Sequence, residues 1–169
     1  MANIYLFSGP CGCGKTTLSN AFARCRTQPV CIIHGDDFQD MLVCPEDASC
    51  PAWEDVLRYN WQCILDVARH ALQLGMDVVI DYVVEDELPC VKALAREFGA
   101  TLHYIMLTAS KETLRQRLQA RGDVWLTERS LFLKAKLDEL PENQGHILDI
   151  TGLTMAQALQ QLEQKAFIV

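Results

Sequence analysis

The sequence predicts an α/β fold in which helices cover both faces of a parallel sheet. Two observations carry this. Five short apolar runs, Ile4–Phe7, Val30–Ile33, Val78–Ile80, Leu102–Leu107 and Ile147–Ile150, are continuous rather than alternating, as strands buried on both faces must be. Between them lie segments with helical apolar spacing, so strand and helix alternate along the chain.

Each helix has its own signals. Lys15–Arg24 follows the first strand and Ala52–Leu74 the second, the latter stopping at Gly75, a suitable C-terminal residue. Glu87–Phe98 carries Pro89 in its first turn and Gly99 just past its end. Lys111–Arg121 follows the fourth strand. Thr127 is expected to cap a helix running to Leu140 before Pro141, and Thr154 to cap a last helix towards Lys165. No repeat, low-complexity tract or long linker divides the 169 residues, so a single domain over 1–169 is expected.

Composition narrows the function classes. Half the residues are hydrophobic and 22% are charged, ordinary values for a globular chain. No apolar run approaches the roughly 18 residues of a membrane span, and the N-terminus lacks a signal peptide's basic flank and cleavage site. A cytoplasmic location follows as the expectation, with the eight cysteines as free thiols in a reducing compartment. Cys31 and Cys63 read as small core side chains. A net charge of −7 argues against an extended nucleic-acid surface, because such binding rests on neutralising phosphates with Lys and Arg. The cluster Glu85, Asp86 and Glu87 reads as solvated surface.

The most specific motif is Gly9-Pro10-Cys11-Gly12-Cys13-Gly14-Lys15-Thr16, which fits G-x-x-x-x-G-K-[ST] without mismatch and lies between a strand and a helix. Glycines let successive backbone N–H groups converge on one anion, and the helix start adds unpaired N–H groups and a positive dipole end. The implied ligands are ATP and Mg²⁺. Gly9, Cys11, Gly12, Cys13 and Gly14 would cradle the phosphates, and Lys15 would reach the β- and γ-phosphates. Thr16 would ligate the metal and Thr17 bond the α-phosphate. Cys11 and Cys13 read either as inert small residues or as thiols activated by the helix start and open to oxidation.

Ligands of parallel sheets sit beyond the carboxyl ends of the strands. The second strand runs into His34-Gly35-Asp36-Asp37 and the third into Asp81. Asp81 reads as a Walker-B-type acid holding Mg²⁺, with a capping Asp as the alternative. Asp36 is placed to take the proton of an attacking hydroxyl; Asp37 is either the base instead or a helix-start residue. His34 either touches substrate or merely ends its strand. The guanine-reading Asn-Lys-x-Asp is absent, and Tyr82, not a water-activating Glu, follows Asp81. The first argues against a small GTPase; the second, together with the acid after the second strand, points to transfer onto a bound acceptor. Arg115, Arg117, Arg121 and Arg129 form a candidate lid beyond the fourth strand, with Gly122-Asp123 as hinge; Arg117 and Arg121 are the strongest candidates for neutralising the moving phosphoryl group. The alternative is a solvated face rich in arginine.

These residues resemble the small P-loop kinases of the nucleoside-monophosphate-kinase-like class, in the zeta-toxin and polynucleotide-kinase-like AAA-domain branch. Gly9–Thr17 is similar to that group's phosphate loop. Ile33-His34-Gly35-Asp36-Asp37-Phe38-Gln39 resembles the segment in which polynucleotide kinases carry Arg-Asp-Asp-Tyr-Arg; its first Asp, the general base there, falls on Asp36. Leu114–Gly122 resembles the lid-entry helix and places the lid arginine on Arg121. Leu148–Thr154 resembles the last strand and loop, which lie against adenine. The resemblance implies a three-layer P-loop NTPase fold with sheet order 2-3-1-4-5. It departs at His34, where several relatives have Asp, and at Tyr82-Val83, where polynucleotide kinases have Thr-Asn.

The expected function is therefore an ATP-dependent kinase acting on the hydroxyl of a small-molecule acceptor. The competing readings are a nucleotide-binding regulatory module and a polynucleotide 5′-hydroxyl kinase. An acceptor-binding insertion is expected at about 37–60 and a lid at about 117–130. At the start of the long helix there, Trp53 and Trp61 read as core, being spaced so that both should not face one pocket. Arg58 reads as a contact to an anionic acceptor or as surface. No membrane partner is expected, and either a monomer or a homodimer is compatible.

Overall fold

The computed structural model describes residues 2–45 and 47–169, so Met1, and Glu46 within the expected insertion, lie outside what is described. Five parallel strands, β1 (Asn3–Ser8), β2 (Val30–His34), β3 (Asp77–Asp81), β4 (Thr101–Thr108) and β5 (Ile147–Asp149), form one sheet in the order β2-β3-β1-β4-β5, the topology expected. β1 is central, with Phe7 opposite Asp81 on β3 and Ile105 on β4.

Side-chain alternation explains the unbroken apolar runs. Ile4 and Leu6 point into one core with α3 (Trp53–Gln73), α4 (Leu88–Phe98) and α6 (Thr127–Glu139). Tyr5 and Phe7 point into a second core with α1 (Lys15–Arg24), α5 (Lys111–Arg121) and α7 (Met155–Gln164). Every residue of β3 is buried, so the strand has no solvent face and no polar phase to show. Each fully buried large side chain contributes about 1.5–3 kcal/mol of transfer free energy, which here holds three layers around the sheet.

Helix ends agree with the expectations in most places. Pro89 occupies the first turn of α4, and Gly99 ends it in the left-handed region at φ 59°. Thr154 and Gln157 form a reciprocal capping box on α7. Thr127 is a correction: it is the first helical residue of α6, and its N-cap is Leu126 at φ −83° without side-chain capping. The chain enters α6 from a 3₁₀ turn, Val124–Leu126, so no extended residue precedes it to act as a cap. Two further features were not anticipated. A short helix, α2 (Gly35–Asp40), follows β2 directly. Cys44 and Cys50 lie side by side in the loop after α2, their Cα atoms 5.7 Å apart, whereas Cys11, Cys13, Cys25, Cys31, Cys63 and Cys90 are free thiols. Among the described residues no helix is long and apolar enough to cross a membrane.

One buried polar contact ties the last part of the chain to the sheet. The Tyr104 hydroxyl on β4 donates to Asn143 Oδ1 at 2.8 Å, and Asn143 Nδ2 donates to the Leu137 carbonyl at 2.7 Å. Burial pushes the Tyr104 phenol up to about 12 from an ordinary value of 10.0. A raised folded-state pKa means that stability is intact below pH 10 and lost as pH rises towards 12. Urea unfolding should therefore show a decline of up to about 3 kcal/mol across that window. Tyr104→Phe should remove this phase while costing about 1–3 kcal/mol at neutral pH, because Asn143 Oδ1 loses its donor.

Candidate active site

The loop between β1 and α1 is built by glycines that nothing else could replace. Gly9 has φ 140°, and a Cβ there would lie 2.3 Å from the Leu107 carbonyl oxygen. Gly12 has φ 78°, and a Cβ would meet Leu118 Cγ at 2.9 Å. Both the dihedral and the space exclude a side chain. Helix α1 starts at Lys15 after Gly14, with no side-chain cap. Its first N–H groups have no partner within the helix and are left free for an anion. Lys15 Nζ folds back over the loop, donating to the carbonyls of Gly9 at 3.0 Å and Pro10 at 3.3 Å. Thr16 and Thr17 are solvent-accessible.

Cys13 lies beneath the loop, fully buried in the second core. Burial raises its thiol pKa, outweighing the nearby Lys15 charge. The expectation of a thiol activated by the helix start fails for this residue, since desolvation exceeds the dipole effect. Cys11 instead faces a cleft, and its carbonyl accepts from the Ser130 hydroxyl at 2.6 Å.

Asp81 ends β3 nearly buried, with His34 of β2 beside it in the sheet. Asn20 Nδ2 donates to the Thr16 carbonyl at 2.8 Å and lies 3.2 Å from His34 Nε2. An amide nitrogen cannot accept, so Nε2 accepts and Nδ1–H donates to Asp81 Oδ2 at 3.1 Å. His34 thus does more than end its strand: its ring holds the Asp81 carboxylate and ties it to the first turn of α1. Among the described residues no three His, Cys, Asp or Glu side chains form a metal cage. The hydroxyl of Thr16 and the carboxylate of Asp81 are hard oxygen donors of the kind Mg²⁺ takes alongside phosphate oxygens and water.

Two clefts open on opposite sides of the loop. The smaller, about 410 Å³, runs from Gly12, Gly14 and Thr17 past Arg117 and Arg121 to Ile150, Leu153 and Thr154. The larger, about 700 Å³, has Asp36 on its wall together with Gln39, Trp53, Leu57, Trp61, Tyr82, Trp125 and Arg129. Asp36 lies in the first turn of α2. Its carboxyl is raised above the ordinary range, first by desolvation and then by Asp81, Asp40 and Asp37, against the opposing pull of Lys15. Asp37 is not part of this lining.

The arginines separate. Arg117 Nη1 donates to the Cys13 carbonyl at 2.9 Å, so its guanidinium rests on the phosphate loop. Arg121 reaches the smaller cleft, but its guanidinium is held by Asp123 at 2.6 Å. Arg129 belongs to the larger cleft and pairs with Glu85. Arg115 sits 3.9 Å from Glu112 on the exposed side of α5. Arg58 is exposed and pairs with Asp55 at 3.0 Å, a surface role.

Two expectations are corrected at the larger cleft. Trp61 is core as expected, buried against Tyr82, but Trp53 is half exposed, and both line the cleft with Leu57 between them. Positions 53, 57 and 61 are successive i, i+4 neighbours on one helix face, so a separation of eight keeps both rings on that face. Glu85, Asp86 and Glu87 are cleft wall rather than remote surface, because β3 ends at Asp81 and its following turn bends over the sheet. Trp125, unmentioned by any motif, faces the same space from the 3₁₀ turn. Its signal was the apolar run Val124-Trp125-Leu126 directly after the Gly122-Asp123 hinge.

A parallel 2-3-1-4-5 sheet with this loop, a strand-end Asp and an arginine-bearing α5 defines a small P-loop kinase. The chain belongs to the AAA domain family, whose pattern matches residues 4–140. It is 30% identical over 159 residues to the ribose 1,5-bisphosphate phosphokinase PhnN of Pectobacterium parmentieri (strain WPP163), covering 83% of this chain and 79% of that protein. In structure it is similar to the tunicamycin resistance protein of Deinococcus radiodurans, with TM-score 0.68, 16% identity and coverage of 100% and 99% of the two chains. It is also similar to a gluconokinase from Sinorhizobium meliloti 1021, with TM-score 0.56, 18% identity and coverage of 96% and 94%. These two show the shared fold.

Gly35 sets the position of α2. A Cβ there would lie 2.4 Å from Tyr82 Cδ2 and 2.8 Å from Ile64 Cδ1. Helix propensity alone favours Ala by about 0.5–1 kcal/mol, but overlap with a buried ring costs about 1–3 kcal/mol. Gly35→Ala should therefore lower the thermal midpoint despite its better propensity, measured by differential scanning calorimetry.

Proposed function

We propose that the chain is an ATP-dependent kinase that moves the γ-phosphoryl group of Mg²⁺–ATP onto a hydroxyl of a small acceptor. The observation that carries this reading is the pair of clefts meeting at one phosphate loop, with Asp36 on the wall of the larger. The nucleoside would occupy the smaller cleft against Ile150 and Leu153, and the acceptor the larger. The relative named a phosphokinase supports the reaction class.

In this reading the loop N–H groups and Lys15 hold the phosphates, and Lys15 exchanges its carbonyl contacts for phosphate oxygens. Mg²⁺, when bound, supplies charge neutralisation at the phosphate oxygens, with Thr16 and Asp81 as its protein donors and His34 fixing Asp81. Asp36 accepts the proton of the acceptor hydroxyl as that oxygen bonds to the γ-phosphorus. The bond from phosphorus to the bridging β-oxygen breaks, and its electron pair leaves with ADP. Arg117, already on the loop, stabilises charge spreading over the γ-oxygens. Arg121 joins it after release from Asp123 as the segment at about 117–130 closes. Trp125 and Leu126 then shut the acceptor side against water.

Asp36→Asn should lower acceptor-dependent ADP production by about 10²–10⁴-fold while calorimetry still records ATP–Mg²⁺ binding. Near-normal turnover in that variant would remove the base assignment. Because the Asp36 carboxyl is raised and only its ionised form accepts a proton, kcat/KM should fall on the acid side through a pKa above the ordinary carboxylate value. That limb should vanish in the residual activity of Asp36→Asn. Lys15→Ala should weaken triphosphate affinity and rate together, with binding read by calorimetry; unchanged binding would overturn the assigned phosphate contact.

A further inference from the structure

We infer that the acceptor is a hydroxyl compound carrying a positively charged amine, an amino alcohol or amino sugar, and not a phosphorylated sugar. This rests on the kinase reading above and concerns the charge of the molecule in the larger cleft. That cleft, at about 700 Å³, is within the size range of sites for drug-sized ligands. Its wall carries five carboxylates against one guanidinium, that of Arg129. The guanidinium is already engaged: it pairs with Glu85 and lies 5.6 Å from the Phe132 ring centre. Lys136, outside the wall, takes the other Glu85 oxygen at 2.8 Å. These contacts hold the Glu85 carboxyl below its usual range although partial burial alone would raise it.

No free cation therefore faces the acceptor among the described residues of the wall, and a bound phosphate would meet carboxylates instead. Like charges in a cleft of lowered dielectric repel. Asp40 and Asp86 make no ion pair among the described residues and border the same space. The aromatic walls match them. Trp53 and Trp125, 50% and 78% exposed, also line the cleft, and indole rings attract cations and pack on apolar ring carbons alike. Behind this wall, fully buried Asn60 donates to the Tyr82 hydroxyl at 2.8 Å and holds that ring in place. The wall thus supplies negative charge, acceptor atoms and rings. The amine is a spectator held by Asp40 and Asp86, and the hydroxyl near Asp36 is the atom that reacts. The chain would then differ in acceptor charge from the bisphosphate named in its relative.

The test uses the full chain with Mg²⁺–ATP and matched acceptors: glucosamine, its β-1,4 dimer and 2-aminoethanol, each beside its N-acetyl form, with ribose 1,5-bisphosphate and glucose 6-phosphate alongside. ADP production and calorimetric binding are both read. Amines should exceed their N-acetyl counterparts by about tenfold in kcat/KM or affinity, and the ratio should shrink as salt screens the wall. In Asp40→Asn/Asp86→Asn the ratio should fall towards one; should that variant not fold, the salt dependence of the native chain decides. Preferential transfer to a sugar phosphate, a salt-independent ratio, or no binding of any amine would overturn the inference. Preferential transfer to a neutral or phosphorylated acceptor would leave the kinase reading standing. Amine binding with no transfer would uphold the charge assignment and sink the kinase reading.

Discussion

The arrangement depends on how closely β1, the phosphate loop and β4 approach one another. Gly9 passes so near the Leu107 carbonyl that no Cβ fits, and Cys13 plugs the space beneath the loop. That contact is what lets the sheet point a row of backbone N–H groups at one place without a side chain intervening. A polyanion is then stabilised by dipoles already oriented, so little reorganisation is required when it binds. The apolar cores on either side hold the sheet rigid enough for this to work.

Around that fixed point the acidic residues have separate environments. Asp81 is buried and held by His34, which in turn is held by Asn20 on the helix that follows the loop. Its orientation is thus coupled to the first turn of α1. Asp36, by contrast, sits at the start of a short helix pressed against Tyr82, reaching solvent on one side and crowded by like charges on the other. Two carboxylates with unlike surroundings suit two roles, one binding a cation and one handling a proton.

The elements read from the sequence were those with a strong local cause. Buried strands, the glycine and lysine of the loop, Pro89, Gly99 and the Thr154 box each follow from dihedral limits or from burial on both faces. Helix α2 escaped because six residues with Gly and three Asp carry almost no helical periodicity; the close approach of Gly35 to Tyr82 and Ile64 and the packing of Phe38 on the core hold it. The approach of Cys44 to Cys50 likewise needs the loop's path, which spacing does not determine.

Asp36, Lys15, Thr16 and Asp81 were identifiable along the chain because each follows a strand end or a motif position, and strand ends of one parallel sheet share an edge. The larger cleft was legible only in part: the segment at about 37–60 supplies Gln39, Asp40, Trp53 and Leu57, but the rest of the wall comes from the turn after β3, the 3₁₀ turn before α6 and α6 itself. Local rules set which residues can stand at a strand end or a helix start. Whether Glu85–Glu87, Trp53 and Trp125 look outward or into one cavity depends on how distant segments pack, and no window of sequence contains that information.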